Sequence, residues 1–211
     1  MYEYHEATLK ATFPQEVRNA IRGMFDEAYT ITNELIQREK WLTENPVARD
    51  IRPDILRAAS ARTAQLWCSK GILPFHCSFP TNSIKNCHHV ELNGEGVILL
   101  LARVDASNAI PPSSTFRDNI FDINIPLFPE YAIEKNPNIR QGFLATYGDR
   151  GKDEFQFGRV GIPGAKSWLA ALPLERGPYG YISTKDHDEM LVELLDNARR
   201  VGEKSAGESE D

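Results

Sequence analysis

Five side chains that can bind a transition metal lie close together in the sequence. They form two groups separated by nine intervening residues: His76, Cys77, Cys87, His88 and His89. Thiolates and imidazoles are the ligands that Zn²⁺ prefers, in a tetrahedral shell. The short cysteine spacing of a zinc knuckle is absent, however, and neighbouring residues of a strand point to opposite faces. We therefore expect no cofactor, with zinc or another divalent cation on His76, Cys77, Cys87 and His89 as the alternative.

Two carboxylates downstream of this cluster suggest the hydrolysis of nucleic acid. Glu91 lies on one predicted strand and Asp105 at the end of the next, where they could bind a divalent cation together. The order helix, strand, strand is similar to that of restriction-endonuclease-like cores, in element order only. The acidic-x-Lys signature of such cores is missing, because Ala106 and Ser107 follow Asp105. A metal-dependent hydrolase or nuclease that uses the cluster at 76–89 with Glu91 and Asp105 is therefore an alternative.

No other motif of the sequence indicates catalysis or nucleotide binding. The chain has neither a Gly-x-Ser-x-Gly elbow nor a glycine-rich phosphate loop. Arg52, Arg57 and Arg62 suggest a DNA-binding regulator, but at this spacing they advance by about 140° per step and form no single stripe. The segment 155–159 predicts two aromatic rings and a cation on one face, as in single-strand binders, although such rings more often belong to a core.

A proline-rich stretch at 106–140 contains most of the residues that we expect to contact a partner. Its five prolines cannot donate hydrogen bonds to a sheet, so the stretch predicts a long excursion with little regular structure. An aromatic ring beside an arginine is typical of protein interfaces. We therefore expect Phe116, Arg117, Asp118 and Arg103 to bind another protein. The alternative is a surface loop pinned by a buried Phe116.

Helices are predicted at both ends of the chain. The region 12–70 contains two, the first beginning near Thr12 and the second running from Pro53 to a stop at Gly71, a residue suited to a left-handed helix end. Apolar residues recur at helical spacing along both. A third, amphipathic helix is predicted over 186–201, where leucines and other apolar residues fall on one face.

The middle of the chain, at 75–182, predicts a sheet. The strand at 96–104 is apolar on both alternating faces and should therefore lie inside the sheet. A further strand is expected within 120–125. Two hairpins are predicted, one at 87–104 with Asn93-Gly94 as its turn and one with strands at 143–147 and 155–160. The expected fold class is therefore α+β: two N-terminal helices, a central mostly antiparallel sheet of at least four strands, and a C-terminal amphipathic helix.

The charge and composition of the chain limit the classes of function that it can have. The net charge is −6, and half of it lies in residues 202–211, which we expect to form a disordered acidic tail after a single domain at 1–201. The nearly neutral body gives no indication of nucleic-acid binding. Three cysteines and the lack of a signal peptide predict a cytoplasmic protein, and no apolar run is long enough for a membrane span. The sequence thus favours a non-catalytic recognition or regulatory domain that binds another protein, in an oligomeric state that the sequence does not indicate.

Overall fold

The α+β fold class is confirmed by a computed structural model, which describes residues 2–44, 48–82, 85, 87–121, 140–164, 166–178, 186 and 188–196. Six helices lie within these residues: α1 (Tyr2–Thr12), α2 (Gln15–Arg38), α3 (Lys40–Glu44), α4 (Ala48–Ser69), α5 (Thr115–Phe121) and α6 (188–196). Six strands form one sheet: β1 (His76–Ser78), β2 (Glu91–Gly94), β3 (Val97–Arg103), β4 (Gln141–Gly148), β5 (Phe157–Pro163) and β6 (Trp168–Pro173).

The strands lie in the sheet in the order of the sequence, from β1 to β6. All neighbours are antiparallel except β3 and β4, which run parallel. A parallel pair needs a crossover connection, and α5 lies on that connection. The apolar strand β3 is an interior strand, as predicted, because β2 and β4 flank it.

Both predicted hairpins are confirmed, with one change in the first turn. Gly94 pairs with Val97, so Glu95 and Gly96 form the two-residue loop in place of Asn93-Gly94. Gly96 takes a φ of +66°, a left-handed conformation that costs glycine little. The turn of the hairpin therefore lies two residues later in the sequence than the Asn93-Gly94 signal predicted.

The N-terminal helical region is divided more finely than the sequence predicted. An additional helix, α1, precedes the expected start at Thr12, and α2 begins after Pro14. The predicted end of the next helix is confirmed at Gly71, where φ is +71° and the backbone N–H donates to the Cys68 carbonyl over 3.0 Å. This left-handed residue satisfies a carbonyl of the last turn of α4.

The two faces of the sheet are covered by different elements. On the first, which we call the helix face, Phe143 contacts Phe13 at 5.0 Å between ring centroids and Tyr147 stacks on Phe25 at 4.2 Å. On the second, the α5 face, a Cβ added to Gly142 would come 2.7 Å from the side chain of Ile120. Because residues of β4 alternate between these faces, α2 and α5 lie on opposite sides of the sheet.

The predicted C-terminal helix is present as α6. Its Met190 and Leu191 are buried in the hydrophobic core. The predicted tail at 202–211 lies outside the described residues. The strand predicted within 120–125 is wrong at its first two positions, which are helical in α5, and its other positions lie outside the described residues. No helix of the described residues has the length and apolarity to cross a membrane.

Candidate functional site

Two groups of residues that the sequence singled out separately meet on the α5 face. Phe116 of α5 stacks on His89, with ring centroids 4.1 Å apart and planes inclined by 29°. The guanidinium carbon of Arg117 lies 5.2 Å from the centroid of the Phe116 ring. On the other side, His89 Nε2 lies 2.9 Å from Oε1 of Glu91, the first residue of β2. We call these four residues, with Asp118, the α5 platform.

The loop before α5 holds the platform in place. Arg117 donates a hydrogen bond to the Pro112 carbonyl, and Ser113 Oγ donates to Asp118 Oδ2 over 2.5 Å. Burial lowers the pKa of Arg117, although the charge of Asp118 acts in the opposite direction. Phe116, Arg117 and Asp118 are all half-buried. The loop is therefore pinned by Phe116 and still presents part of the aromatic ring and of both charges to solvent.

Two buried polar atoms in or next to the platform have no hydrogen-bond partner: His89 Nδ1 within it and Ser114 Oγ in the loop before α5. When His89 Nε2–H donates to Glu91, Nδ1 is left as an acceptor. An unpaired buried polar atom costs stability, and its retention calls for an explanation such as a functional role.

Arg103 lies on the other side of the sheet. Its guanidinium donates to both oxygens of Asp149, over 3.1 and 3.3 Å. Asp149 also accepts hydrogen bonds from the Tyr29 hydroxyl at 3.1 Å and from the Gly151 N–H at 2.9 Å, and it lies 3.5 Å from Arg52. The expected partner-binding residues thus do not form one surface, because Arg103 points to the helix face while Phe116, Arg117 and Asp118 lie on the α5 face.

The contacts of Asp149 saturate its carboxylate. Burial acts to raise the pKa of Asp149, but the hydrogen bonds from Gly151 and Arg103, the charge of Arg103 and the hydroxyl of Tyr29 outweigh it and lower the pKa. Burial and the nearby Asp149 raise the pKa of Tyr29. Asp149 therefore stays charged and Tyr29 stays neutral near pH 7, which favours a structural ion-pair cluster over an acid–base pair.

Arg52 connects this cluster to a cavity. Its Nε lies 3.2 Å from Asp153, and its Nη2 donates to Asn33 over 3.0 Å. The cavity has a volume of about 590 Å³ and is lined by Arg52 with seven further residues: Asn33, Ile36, Gln37, Leu42, Thr43, Gly151 and Asp153. This size suits a small molecule. Every nitrogen of the Arg52 guanidinium already has a partner, so the described residues that line the cavity offer no free cation.

The residues expected to bind a metal do not come together. Cys77 packs towards the core beside Leu92, His76 points to the opposite face of β1, and Cys87 lies 3.9 Å from Arg57 of α4. Among the described residues, no group of three or more histidine, cysteine, aspartate or glutamate side chains is placed to hold a metal ion. Alternation along β1 separates His76 from Cys77, while Cys87 lies beside Arg57 of α4 and His89 lies beside Glu91 and Phe116 on the α5 face.

The carboxylates of the nuclease alternative are also apart. Glu91 contacts His89, and its register partner is Leu100. Asp105 lies five residues farther along the chain, is 96% exposed, and has Arg103 as its neighbour at 3.8 Å. The two carboxylates therefore do not share a site.

Sequence reasoning missed Tyr29 and Asp149 and considered Arg52 only as a DNA contact, because the three residues are distant in sequence and meet only in the fold. The one signal in the sequence was that Asp149 follows a predicted strand. In the structure this strand runs parallel to β3, and polar side chains at the ends of parallel strands meet at one edge of the sheet. Comparison of the chain with protein families, with characterised proteins and with solved structures gave no match in any of the three.

Proposed function

We propose that this protein is a recognition domain that binds another protein through the α5 platform. The observation that supports the proposal is the stack of Phe116 on His89, with Arg117 against the same ring. Residues from the proline-rich excursion and from the segment before β2 thereby form one preorganised surface. Rigid aromatic anchors next to an arginine are the residues that most often dominate binding energy at protein interfaces.

The charge of the platform indicates what its partner presents. The acids of the platform are engaged, Glu91 by His89 and Asp118 by Ser113, whereas Arg117 contacts a carbonyl and a ring and has no ion pair within the described residues. The partner would therefore offer an acceptor, a carboxylate or a carbonyl, to Arg117 and an apolar group to Phe116.

The test compares two charge reversals. The wild-type chain, Arg117→Glu and Arg176→Glu would each be used to isolate a partner, whose affinity for each purified variant is then measured by calorimetry. Arg176 is an exposed arginine with no ion pair in the described chain, so it is a matched control. We expect binding to weaken at least tenfold in Arg117→Glu and to be unchanged in Arg176→Glu. Equal binding by all three proteins, or no partner retained by the wild type, would contradict the proposal.

The DNA-binding alternative has less support because Arg52, Arg57 and Arg62 are each paired with a carboxylate. Arg52 lies beside Asp149 and Asp153, and Arg57 lies 3.6 Å from Asp54. These paired arginines therefore leave little free positive charge for phosphate groups. Unchanged mobility of duplex DNA at low salt would remove this alternative.

A further inference from the structure

A second part of the α5 face has an unusual set of polar groups. Strand β5 presents Phe157, Arg159 and Gly161 there, at alternate positions of the strand. Arg159 lies directly opposite Thr146 of β4 on one side and Pro173 of β6 on the other. We call Phe157, Arg159, Thr146 and Trp168 the β5 face site.

Hydrogen-bond donors of this site are left without partners. Thr146 is 0% exposed, and its Oγ1 has no hydrogen-bond partner. The indole Nε1 of Trp168 is buried and also unpaired. Arg159 is half-buried and makes no ion pair or side-chain hydrogen bond within the described chain. The two buried groups carry a cost that a bound acceptor would remove, and the half-buried Arg159 is an unpaired cation on the same face.

Carboxylates of the described chain do not neutralise this site. Arg150, whose guanidinium carbon lies 5.5 Å from the centroid of the Phe157 ring, has no ion pair in that part of the chain. Glu175, which follows β6, is exposed and is equally unpaired there. Two arginines without counter-ions beside a buried hydroxyl favour a ligand with negative charge.

Aromatic rings flank these donors. A Cβ on Gly161 would lie 2.8 Å from Cε3 of Trp168, so the absence of a side chain at Gly161 lets the indole lie against the strand. Phe157 occupies the same face two residues before Arg159. A cation between two aromatic side chains suits a ligand that joins an oxyanion to a flat apolar body.

We propose that the β5 face site binds a small molecule in which an oxyanion, a carboxylate or a phosphate monoester, is attached to a planar apolar group. The guanidinium of Arg159 forms the charged contact, and the rings of Phe157 and Trp168 contact the body of the ligand. The Trp168 N–H and the Thr146 hydroxyl are buried, so they donate hydrogen bonds once the ligand has displaced the groups that cover them. This site is independent of the α5 platform, and its ligand differs in class from the protein partner proposed there.

The experiment uses matched pairs of probes with the full chain. Benzoate is compared with the neutral benzamide, and adenosine monophosphate with adenosine, by calorimetry and by tryptophan fluorescence. We expect saturable binding of at least one anion, at least tenfold tighter than that of its neutral counterpart. The preferred anion then distinguishes a carboxylate site from a phosphate site. Saturable binding of neither anion, or equal binding of the charged and neutral probes, would overturn the proposal.

Substitutions locate the ligand. Arg159→Met should weaken binding of the preferred anion at least tenfold, while Arg176→Met, on an exposed and unpaired arginine, should leave it unchanged. Thr146→Val keeps the side-chain volume and removes the unpaired hydroxyl, so the variant should melt at a higher temperature than the wild type and bind the anion more weakly. Equal affinity in Arg159→Met and Arg176→Met would place the anion elsewhere and refute the site.

Discussion

Replacing Asp149 with asparagine converts its carboxylate into a neutral amide. Arg103, Tyr29, Gly151 and Arg52 all contact that carboxylate. The side chain of Asp149 is 2% exposed, so water cannot replace the lost contacts. The amide of asparagine keeps one acceptor oxygen and the same volume. Its NH₂ group, however, would face donors that now point at a carboxylate oxygen.

The expected loss in the free energy of unfolding depends on which carboxylate neighbours Arg103 and Arg52 keep. Removing one partner of a buried ion pair costs about 3–5 kcal/mol when the remaining charge is stranded. Here Arg103 is 33% exposed and has Asp105 as a second neighbour, while Arg52 retains Asp153. We therefore expect Asp149→Asn to lower the free energy of unfolding by about 2–3 kcal/mol, and the melting temperature by roughly 4–12 °C.

The pH dependence has a definite sign. The pKa of Asp149 is lower in the folded protein than its ordinary value, so the unfolded chain binds the proton more tightly. The stabilisation is then fully present above the unfolded-state pKa of about 3.9 and is lost as the pH falls through the folded-state pKa. The difference between wild type and Asp149→Asn should be constant from about pH 8 to pH 5 and should shrink below about pH 4.

Urea unfolding followed by circular dichroism, at a series of pH values, measures this difference. Asp105→Asn is the matched control, because Asp105 also neighbours Arg103 but is 96% exposed and should cost less than about 0.5 kcal/mol. The reasoning is refuted if Asp149→Asn unfolds within about 0.5 kcal/mol of the wild type at pH 7, or if the control loses as much.

Two further predictions concern packing and thiol chemistry. Gly148→Ala should lower the free energy of unfolding by at least about 2 kcal/mol in urea titrations, because the added methyl would fall on the Val104 carbonyl oxygen; wild-type stability would contradict this packing. With dithiobis(nitrobenzoate) at pH 8, only the exposed Cys87 should react quickly, since burial raises the pKa of Cys68 to about 12 and that of Cys77 to about 11. Three equally fast thiols in the folded protein would disprove it.

Local features of the fold were the predictable ones. Gly71 ends α4 and the two hairpins form, because each depends on residues that are neighbours in the chain. The turn at Glu95-Gly96 was displaced from the expected Asn93-Gly94 because the register of β2 and β3 also has to place Leu92 and Leu99 in the core. Tertiary packing thus decided between two nearby turn signals.

Residues that meet from distant parts of the chain could not be placed in advance. Tyr29 and Asp149 are 120 positions apart, and only the path of α2 along β4 brings them within 3.1 Å. Phe116 was a candidate anchor, but its stack on His89 depends on the crossover that carries α5 over the sheet. The segment 155–159 is a mixed case, since Phe155 packs on Phe25 in the core while Arg159 points to the other face.

Asp149 on the helix face and three buried polar atoms on the α5 face differ in how they are satisfied. On the helix face, the carboxylate of Asp149 has a donor for each oxygen, so its charge contributes to holding β3, β4 and α2 together. On the α5 face, Thr146 Oγ1, Trp168 Nε1 and His89 Nδ1 have no partner. An unpaired buried polar group costs about 1–3 kcal/mol, and a bound partner that pairs with the group would remove this cost. His89 belongs to the α5 platform, and Thr146 and Trp168 belong to the β5 face site, so each proposed partner would pair with a group that the described chain leaves unpaired.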